Sequence, residues 1–355
     1  MKKLTAILSL ILVVCMLAGC AGTTVVYYSD CTCPAGSHVQ TPATEAVQTE
    51  PPVVAEGSVK TGLAVITTAK NTEAEDGSVI EYDVTVAAVL VDDNGVIVDC
   101  VIDSAGPALA FNAEGAITTD LKATIQTKTE LGDAYGMKAY AGSQYEWYEQ
   151  AQALADYAVG KTVEELRTGA VNESGKAADA DLASTATIYL GGYVAAIEKA
   201  VANAQHLGAQ AGDELKIATI CSLADSTAPE GENPGNAQLN VDVTAITVSG
   251  DVITSCYIDS MQAKVAFTAE GVAEIPAFAT KNELGEAYGM KAWGGATYEW
   301  NEQAANFAAY VTGKTAAEVA GIAIDETTKP TDADLGASVT ISIGGFQALI
   351  AKAAQ

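Results

Sequence analysis

Thr127 to Lys138 reads T-K-T-E-L-G-D-A-Y-G-M-K, and Thr280 to Lys291 reads T-K-N-E-L-G-E-A-Y-G-M-K. Ten of the twelve positions agree. The offset of 153 residues then holds without a gap through Trp147/Trp300, Gly160/Gly313, Asp181/Asp334 and Thr187/Thr340. Solenoid units run to roughly 20–50 residues, so a period this long marks a duplicated domain. One chain therefore presents two versions of one site, and what persists in both can be compared.

Each copy opens with strands. Asp83 to Leu90 and Val96 to Asp103 are rich in Val and Ile and are joined at Asp93-Asn94-Gly95. The second copy has Asp242 to Val248, a turn at Ser249-Gly250-Asp251, then Val252 to Asp259. A further turn follows in each, at 111–115 and 267–271. After the glycine-punctuated block comes a helix with Trp147, Ala151, Leu154 and Ala158 on one face, matched by Trp300, Ala304, Phe307, Ala308 and Val311. Each helix stops at a glycine, Gly160 or Gly313, and a capping box follows, Thr162 with Glu165 and Thr315 with Glu318. The copies end in apolar segments, Ala186 to Ala204 and Val339 to Ala354, whose later parts read as helix. Strands first and helices after predict an α+β fold: two tandem homologous domains, each a mostly antiparallel sheet packed with helices.

The organisation expected is a signal peptide over 1–20, a flexible tether over 21–57, and domains over 58–208 and 209–355. Lys2 and Lys3 precede an apolar run, Leu4 to Ala18, that is too short to span a membrane. The run closes on Leu17-Ala18-Gly19-Cys20, which resembles a bacterial lipobox and implies lipidation (palmitate) at Cys20 on the outer face of the cell membrane, the alternative being a plain secretory signal with an incidental cysteine. The next stretch is rich in Thr, Pro, Ser, Val and Glu and reads as a tether.

The net charge of −27, from 45 acidic against 18 basic residues, argues against nucleic acid and against docking on anionic lipid. A solubilising surface for an exported protein accounts for it. Hydrophobic residues make up 49% of the chain, enough for two cores. The two histidines, His38 and His206, do not repeat, so chemistry common to both copies uses neither a Ser-His-Asp or Cys-His set nor a His-rich zinc site. No catalytic residue and no metal ligand is assigned. Cys100 and Cys256 occupy equivalent positions and read as small buried apolar residues, while Cys221 has no counterpart. For Cys31 and Cys33 a bridge or a metal role stays open.

Two shared patches remain. In the E-L-G-x-A-Y-G-M-K block, Gly132/Gly285 and Gly136/Gly289 allow positive φ or close backbone approach. Tyr135/Tyr288, Met137/Met290 and the following Tyr145-Glu146-Trp147 and Tyr298-Glu299-Trp300 suit a planar ring, although the two Trp residues read first as core anchors. The second patch is Asp181-Leu182-Ala183-Ser184-Thr185-Ala186-Thr187-Ile188, matched by Asp334-Leu335-Gly336-Ala337-Ser338-Val339-Thr340-Ile341.

That second patch resembles the attachment motif D-x-x-S-G-A-T of FMN-binding domains, where a separate flavin transferase esterifies the last Thr through the phosphate of FMN. A phosphate near a helix N-terminus is physically sensible. Thr187 and Thr340 match the modified Thr, and Asp181 and Asp334 the leading acid. Thr185 or Ser338 stands for the motif glycine, Ala337 for the motif serine in the second copy, and Val339 for the alanine.

From about residue 60 onward the chain resembles the tandem flavin-binding surface lipoproteins of Gram-positive bacteria, whose signal peptides can also yield a pheromone. The resemblance rests on E-L-G-x-x-Y-G-M-K, Y-E-W-x-E-Q-A, G-K-T-x-x-E and the Thr-ended stretch. It implies covalent FMN, up to two per chain, at Thr187 and Thr340. It nominates as cofactor-binding Glu130, Gly132, Tyr135, Gly136, Met137, Lys138, Asp181 and Thr185, and in the second copy Glu283, Gly285, Tyr288, Gly289, Met290, Lys291, Asp334 and Ser338. It implies electron transfer rather than catalysis by protein groups: a flavin transferase as maturation partner, a membrane quinol-oxidising donor, and extracellular acceptors such as ferric iron. A surface lipoprotein that binds free flavin without a covalent bond is the alternative.

Overall fold

A computed structural model of the chain describes residues 57–74, 76–272 and 274–355. The signal segment with Cys20, the tether with Cys31 and Cys33, and His38 lie outside the described residues. The described residues form one compact unit, and it is an α+β structure.

In the first repeat, strands β1 (Lys60–Ala74), β2 (Gly77–Val91), β3 (Ile97–Ala105) and β4 (Ala108–Asn112) make an antiparallel sheet in the order β1-β2-β3, with β4 continuing β3 alongside the other end of β2. Helices follow: α1 (Lys128–Leu131), a turn of 3-10 helix at Gly132–Tyr135, α2 (Met137–Ala141), α3 (Trp147–Ala158), α4 (Val163–Gly169), α5 (Ala180–Thr185) and α6 (Gly191–Ala202). The second repeat runs β5 (Glu214–Ser222), β6 (Gly235–Ser249), β7 (Val252–Phe267), α7 (Lys281–Leu284), a 3-10 turn at Gly285–Tyr288, α8 (Trp300–Val311), α9 (Ala316–Ala320), α10 (Ala333–Ser338) and α11 (Gly344–Ala353).

The sheets are larger than the sequence predicts. The opening strands β1 and β5 were not expected, and the hairpin strands run well beyond the predicted limits at 83–90, 96–103, 242–248 and 252–259. The pairs β3/β4 and β7 are the same strand in two forms. Pro107 has no N–H to give to the ladder, so the first repeat breaks there, although its carbonyl still accepts from Tyr82 N at 2.9 Å. Ala263 stands at that position in the second repeat, and β7 runs through without a break.

The end of β2 is buried on both faces, and its side chains divide by the period of two. Val84, Val86, Ala88 and Leu90 enter a core shared with Leu239, Val241, Val243 and Ala245 of β6. Ala87, Val89 and Val91 enter a second core against Trp147, Leu154, Leu166, Leu190 and Ile197. A third core repeats this arrangement with Ile246, Ile253, Trp300, Phe307, Val319 and Ile350. The layers are thus helices, sheet, sheet, helices. The repeats meet through their sheets, and Phe111 stacks on its own counterpart Phe267, with centroids 4.3 Å apart. Contact between equivalent positions marks a pseudo-twofold axis, as in an isologous interface.

The Trp helices are as expected. Trp147 and Trp300 are 2% and 6% exposed, and the predicted capping boxes at Thr162/Glu165 and Thr315/Glu318 are both formed. The last helices begin at the glycine pairs, Gly191 and Gly344, so 186–190 and 339–343 are connecting chain. Cys100, Cys221 and Cys256 are free and buried.

Candidate functional site

The glycines of the repeated block are demanded by backbone geometry. Gly132 and Gly285 end α1 and α7 at φ 50, ψ −126 and φ 49, ψ −122. That region is closed to L side chains, and a Cβ there would touch nothing, so the requirement comes from the backbone alone. Gly136 and Gly289 follow at φ 83 and 84, left-handed and buried beneath the rings of Tyr140 and Trp293. Those rings are themselves 89% and 85% exposed, a pair that sequence reading passed over.

This bend aims the next backbone amides at a buried carboxylate. Glu146 accepts from Met137 N at 2.7 Å and from Lys138 N at 3.1 Å, and Glu299 does the same for Met290 N and Lys291 N at 2.8 and 3.0 Å. Both Glu residues also start the Trp helices, in capping boxes with Glu149 and Glu302. The Lys138 and Lys291 ammonium groups turn back to those same partners, each at 2.6 Å.

One helical turn further on, Gln150 and Gln303 sit in the buried stripe of α3 and α8, 0% and 1% exposed. Gln150 Oε1 accepts from Thr187 N at 2.8 Å, from the Thr187 hydroxyl at 3.1 Å and from Ile188 N at 3.0 Å. Gln303 Oε1 accepts from Thr340 N at 2.8 Å, its hydroxyl at 3.1 Å and Ile341 N at 3.2 Å. Each amide nitrogen donates to a carbonyl in the loop before the helix, Tyr145 O or Tyr298 O, and contacts Met137 Sδ or Met290 Sδ. The buried Gln thus ties the two shared patches together, while Thr187 and Thr340 are exposed at the surface.

Beside Thr187 lies a cavity of about 410 Å³ lined by Ile66, Asp83, Lys128, Tyr135, Met137, Trp147, Ile188, Tyr189, Gly192 and Tyr193, among others. Its volume falls within the roughly 300–1,000 Å³ of small-ligand sites. Trp147 Nε1 donates to Tyr193 Oη at 2.9 Å, and burial pushes the Tyr193 phenol up to about 12. The Lys128 ammonium stands 5.5 Å from the Tyr135 ring centre and 5.3 Å from that of Trp147. Burial lowers its pKa, opposed by the Asp83 and Asp103 carboxylates. Lys281 repeats this at 5.2 and 4.8 Å from Tyr288 and Trp300. Lys176 Nζ donates to Thr187 O at 2.7 Å.

Several predicted site residues lie elsewhere. Glu130 and Glu283 close capping boxes with Thr127 and Thr280 and then pair across the repeats: Glu130 with Lys352, and Glu283 with Lys199, each at 2.7 Å. Thr185 and Glu130 line a different cleft of about 840 Å³ between α3 and the second repeat. Asp181 and Asp334 are exposed in the first turn of α5 and α10, and the helix caps are the neighbouring Asp179 and Asp332. The carbonyl of Ser338 accepts from Asn306 Nδ2 at 3.4 Å. Of the nominated residues, Tyr135, Met137 and the chain next to Thr187 meet at the cavity. Spacing alone gives the Gln and Glu of Y-E-W-x-E-Q no role. A glutamine inside an otherwise apolar stripe was the signal available.

Among the described residues no three His, Cys, Asp or Glu side chains stand together as a metal site, and no helix is long and apolar enough to cross a membrane.

No family model and no solved structure matches the chain. A chlorophenol reductase from Desulfitobacterium hafniense is 55% identical over 42 residues, 12% of this chain and 13% of that protein. So short a shared stretch leaves the function to be argued from the site.

Proposed function

We propose that the protein is an exported electron carrier with FMN joined through its phosphate to Thr187 and Thr340. The observation that carries this reading is the Gln clamp. In both repeats a surface Thr hydroxyl is fixed by a buried glutamine at 3.1 Å, in a segment that resembles a flavin-attachment motif. The clamp fixes the Thr oxygen at the surface; ester formation would take its proton and end that bond, while the two backbone N–H donors would still hold the segment to the glutamine.

The residues present fit the group. The aromatic and thioether walls of the 410 Å³ cavity suit a flat ring system. Lys176 and the free N–H groups that open α6 offer positive charge to a phosphate on Thr187. Lys128, partly desolvated between Asp83 and the ring faces, provides a charge close to the cavity wall. When bound, the flavin would supply the one- and two-electron chemistry, while the chain holds the ring and shields it from water. On the same reading Cys20 carries the lipid anchor, the donor is a membrane quinol-oxidising system, and the acceptors are extracellular, ferric iron among them.

The test is an intact mass of the denatured protein after expression with a flavin transferase. Two FMN phosphoesters are expected, one lost in Thr187→Val and the other in Thr340→Val. An unmodified mass removes the proposal. Yellow colour that separates from the chain on unfolding supports instead a surface lipoprotein that binds free flavin.

A further inference from the structure

Most residues that line the first cavity recur around Thr340, with Phe346 in place of Tyr193. Lys128, Tyr135, Met137, Trp147 and Ile188 recur as Lys281, Tyr288, Met290, Trp300 and Ile341. Tyr189, however, is replaced by Ser342.

Tyr189 is 60% exposed and still lines the cavity beside Thr187. Its ring is held by two glycines. A Cβ on Gly175 would lie 2.1 Å from the ring carbon Cε2, and one on Gly191 would lie 2.8 Å from the phenol oxygen. In the second repeat Thr328 stands where Gly175 does. Thr328 takes φ 60 against 70 for Gly175, and its carbonyl accepts from Ile343 N at 2.8 Å just as Gly175 O accepts from Leu190 N at 2.7 Å. Both loops therefore close the same way, and the backbone alone does not dictate glycine. It is the ring above Gly175 that leaves no room for a side chain. Where the ring is gone, a Thr has filled the space and hydrogen-bonds to Ser342. Positive φ on a non-glycine residue costs about 1 kcal/mol, so a side chain at 328 is kept against a local penalty. Glycine with tyrosine, and threonine with serine, are two matched settings of one position.

We propose that Tyr189 is the outer wall of the first site, covering the face of a planar ring bound there, and that Ser342 leaves the same face open in the second site. This rests on the flavin reading above. The first centre is then shielded, and the second is the one that small solutes in the surrounding water reach. Tyr189 acts as a positioning residue, set by Gly175.

The experiment uses the flavinylated full chain in two single-site forms, Thr340→Val to keep the first centre and Thr187→Val to keep the second. Intact mass confirms one FMN phosphoester in each. Flavin emission is then titrated with iodide, a collisional quencher that must touch the ring. The first centre should be quenched several-fold less steeply than the second, or be dark from contact with the Tyr189 ring. Tyr189→Ser in the Thr340→Val background should move its emission and iodide slope toward those of the second centre. The reverse exchange, Ser342→Tyr with Thr328→Gly in the Thr187→Val background, should protect the second centre. Equal emission and slopes in the two single-site proteins, or values unmoved by both exchanges, overturn this proposal while leaving the flavin reading intact. An unmodified mass ends both.

Discussion

Gln150 Oε1 accepts three hydrogen bonds from the Thr187–Ile188 segment, and one of the three comes from the Thr187 hydroxyl itself. A single buried oxygen thus sets both the backbone and the side chain of the residue proposed as the attachment point. Gln150→Leu would remove that acceptor from the Thr187 and Ile188 amides, while the Tyr145 carbonyl would lose one of its two donors and keep the Ser143 hydroxyl at 2.8 Å. Each polar group left buried and unpaired costs about 1–3 kcal/mol, so a loss of about 2–4 kcal/mol is expected in a denaturant titration. The distinguishing outcome is chemical. In the folded variant, FMN addition at Thr187 should fall while addition at Thr340, held by Gln303, stays complete by intact mass. Loss at both sites, or at neither, would contradict the local role given to Gln150.

The repeated glycines are expected to differ in how they fail. At Gly132 an added methyl group meets no atom, so Gly132→Ala reports backbone strain alone, about 1–3 kcal/mol at φ 50, ψ −126. At Gly136 the methyl also lies 2.5 Å from the Tyr140 ring. Gly136→Ala should therefore be partly rescued by Tyr140→Ala, and Gly132→Ala should not be. Melting temperatures of the two singles and two doubles decide it.

What was legible in the sequence follows from where each signal is local. The Trp helices and the caps at Thr162 and Thr315 are written in spacings of a few residues, and they are found where expected. The strand Lys60–Ala74 was missed because T-G-L-A-V-I-T-T-A-K mixes small and hydroxyl residues much as a tether does, and its apolar side shows only once β2 and the second sheet cover it. Gln150 was passed over because glutamine on an amphipathic helix ordinarily faces water. The pairing of Glu130 with Lys352 of the other repeat is not legible either, because pairing across a pseudo-twofold axis leaves no mark in sequence spacing.

That pairing is reciprocal and can be measured. Lys199 and Lys352 each bind the other repeat's Glu at 2.7 Å and also donate to a strand carbonyl of their own repeat, Val65 O and Thr219 O, at 2.9 and 2.6 Å. Burial raises the Glu283 carboxyl, and the Lys199 ammonium with the Thr280 cap more than offsets it, so the net shift is downward. The side chains are about a quarter to two fifths exposed, which limits each ion pair to under about 1 kcal/mol. Lys199→Met and Lys352→Met should each cost about 1–2 kcal/mol with the carbonyl bond included, and the double variant should cost their sum. Added salt should weaken the parent more than the double variant. A double variant as stable as the parent would show that the seam rests on the apolar core alone.

The pH dependence has a sign that separates Asp259 from ordinary surface acids. Asp259 is 4% exposed on β7, and its Oδ1 accepts from Ser260 N at 2.8 Å and Asn282 N at 3.1 Å. Burial pushes its carboxyl up to about 6; the Thr280, Ser260 and Asn282 donors oppose that, and Glu283 adds to it. Lys281, itself lowered by burial, faces it with Asp242. The folded pKa is the higher one, so the folded state holds a proton that the unfolded chain releases first. This contribution to stability is complete below pH about 4 and is lost as pH rises to about 6. Its size is about 3 kcal/mol, from roughly two pKa units at 1.36 kcal/mol each. Asp259→Asn keeps the accepting oxygen and removes the ionisation. It should match the parent near pH 4 and exceed it at pH 7.5 by up to about 3 kcal/mol in urea titrations. If the variant is instead less stable at pH 7.5 than at pH 4 relative to the parent, the folded pKa of Asp259 lies below the unfolded one, and the Lys281 ammonium with the Thr280, Ser260 and Asn282 donors outweighs its burial.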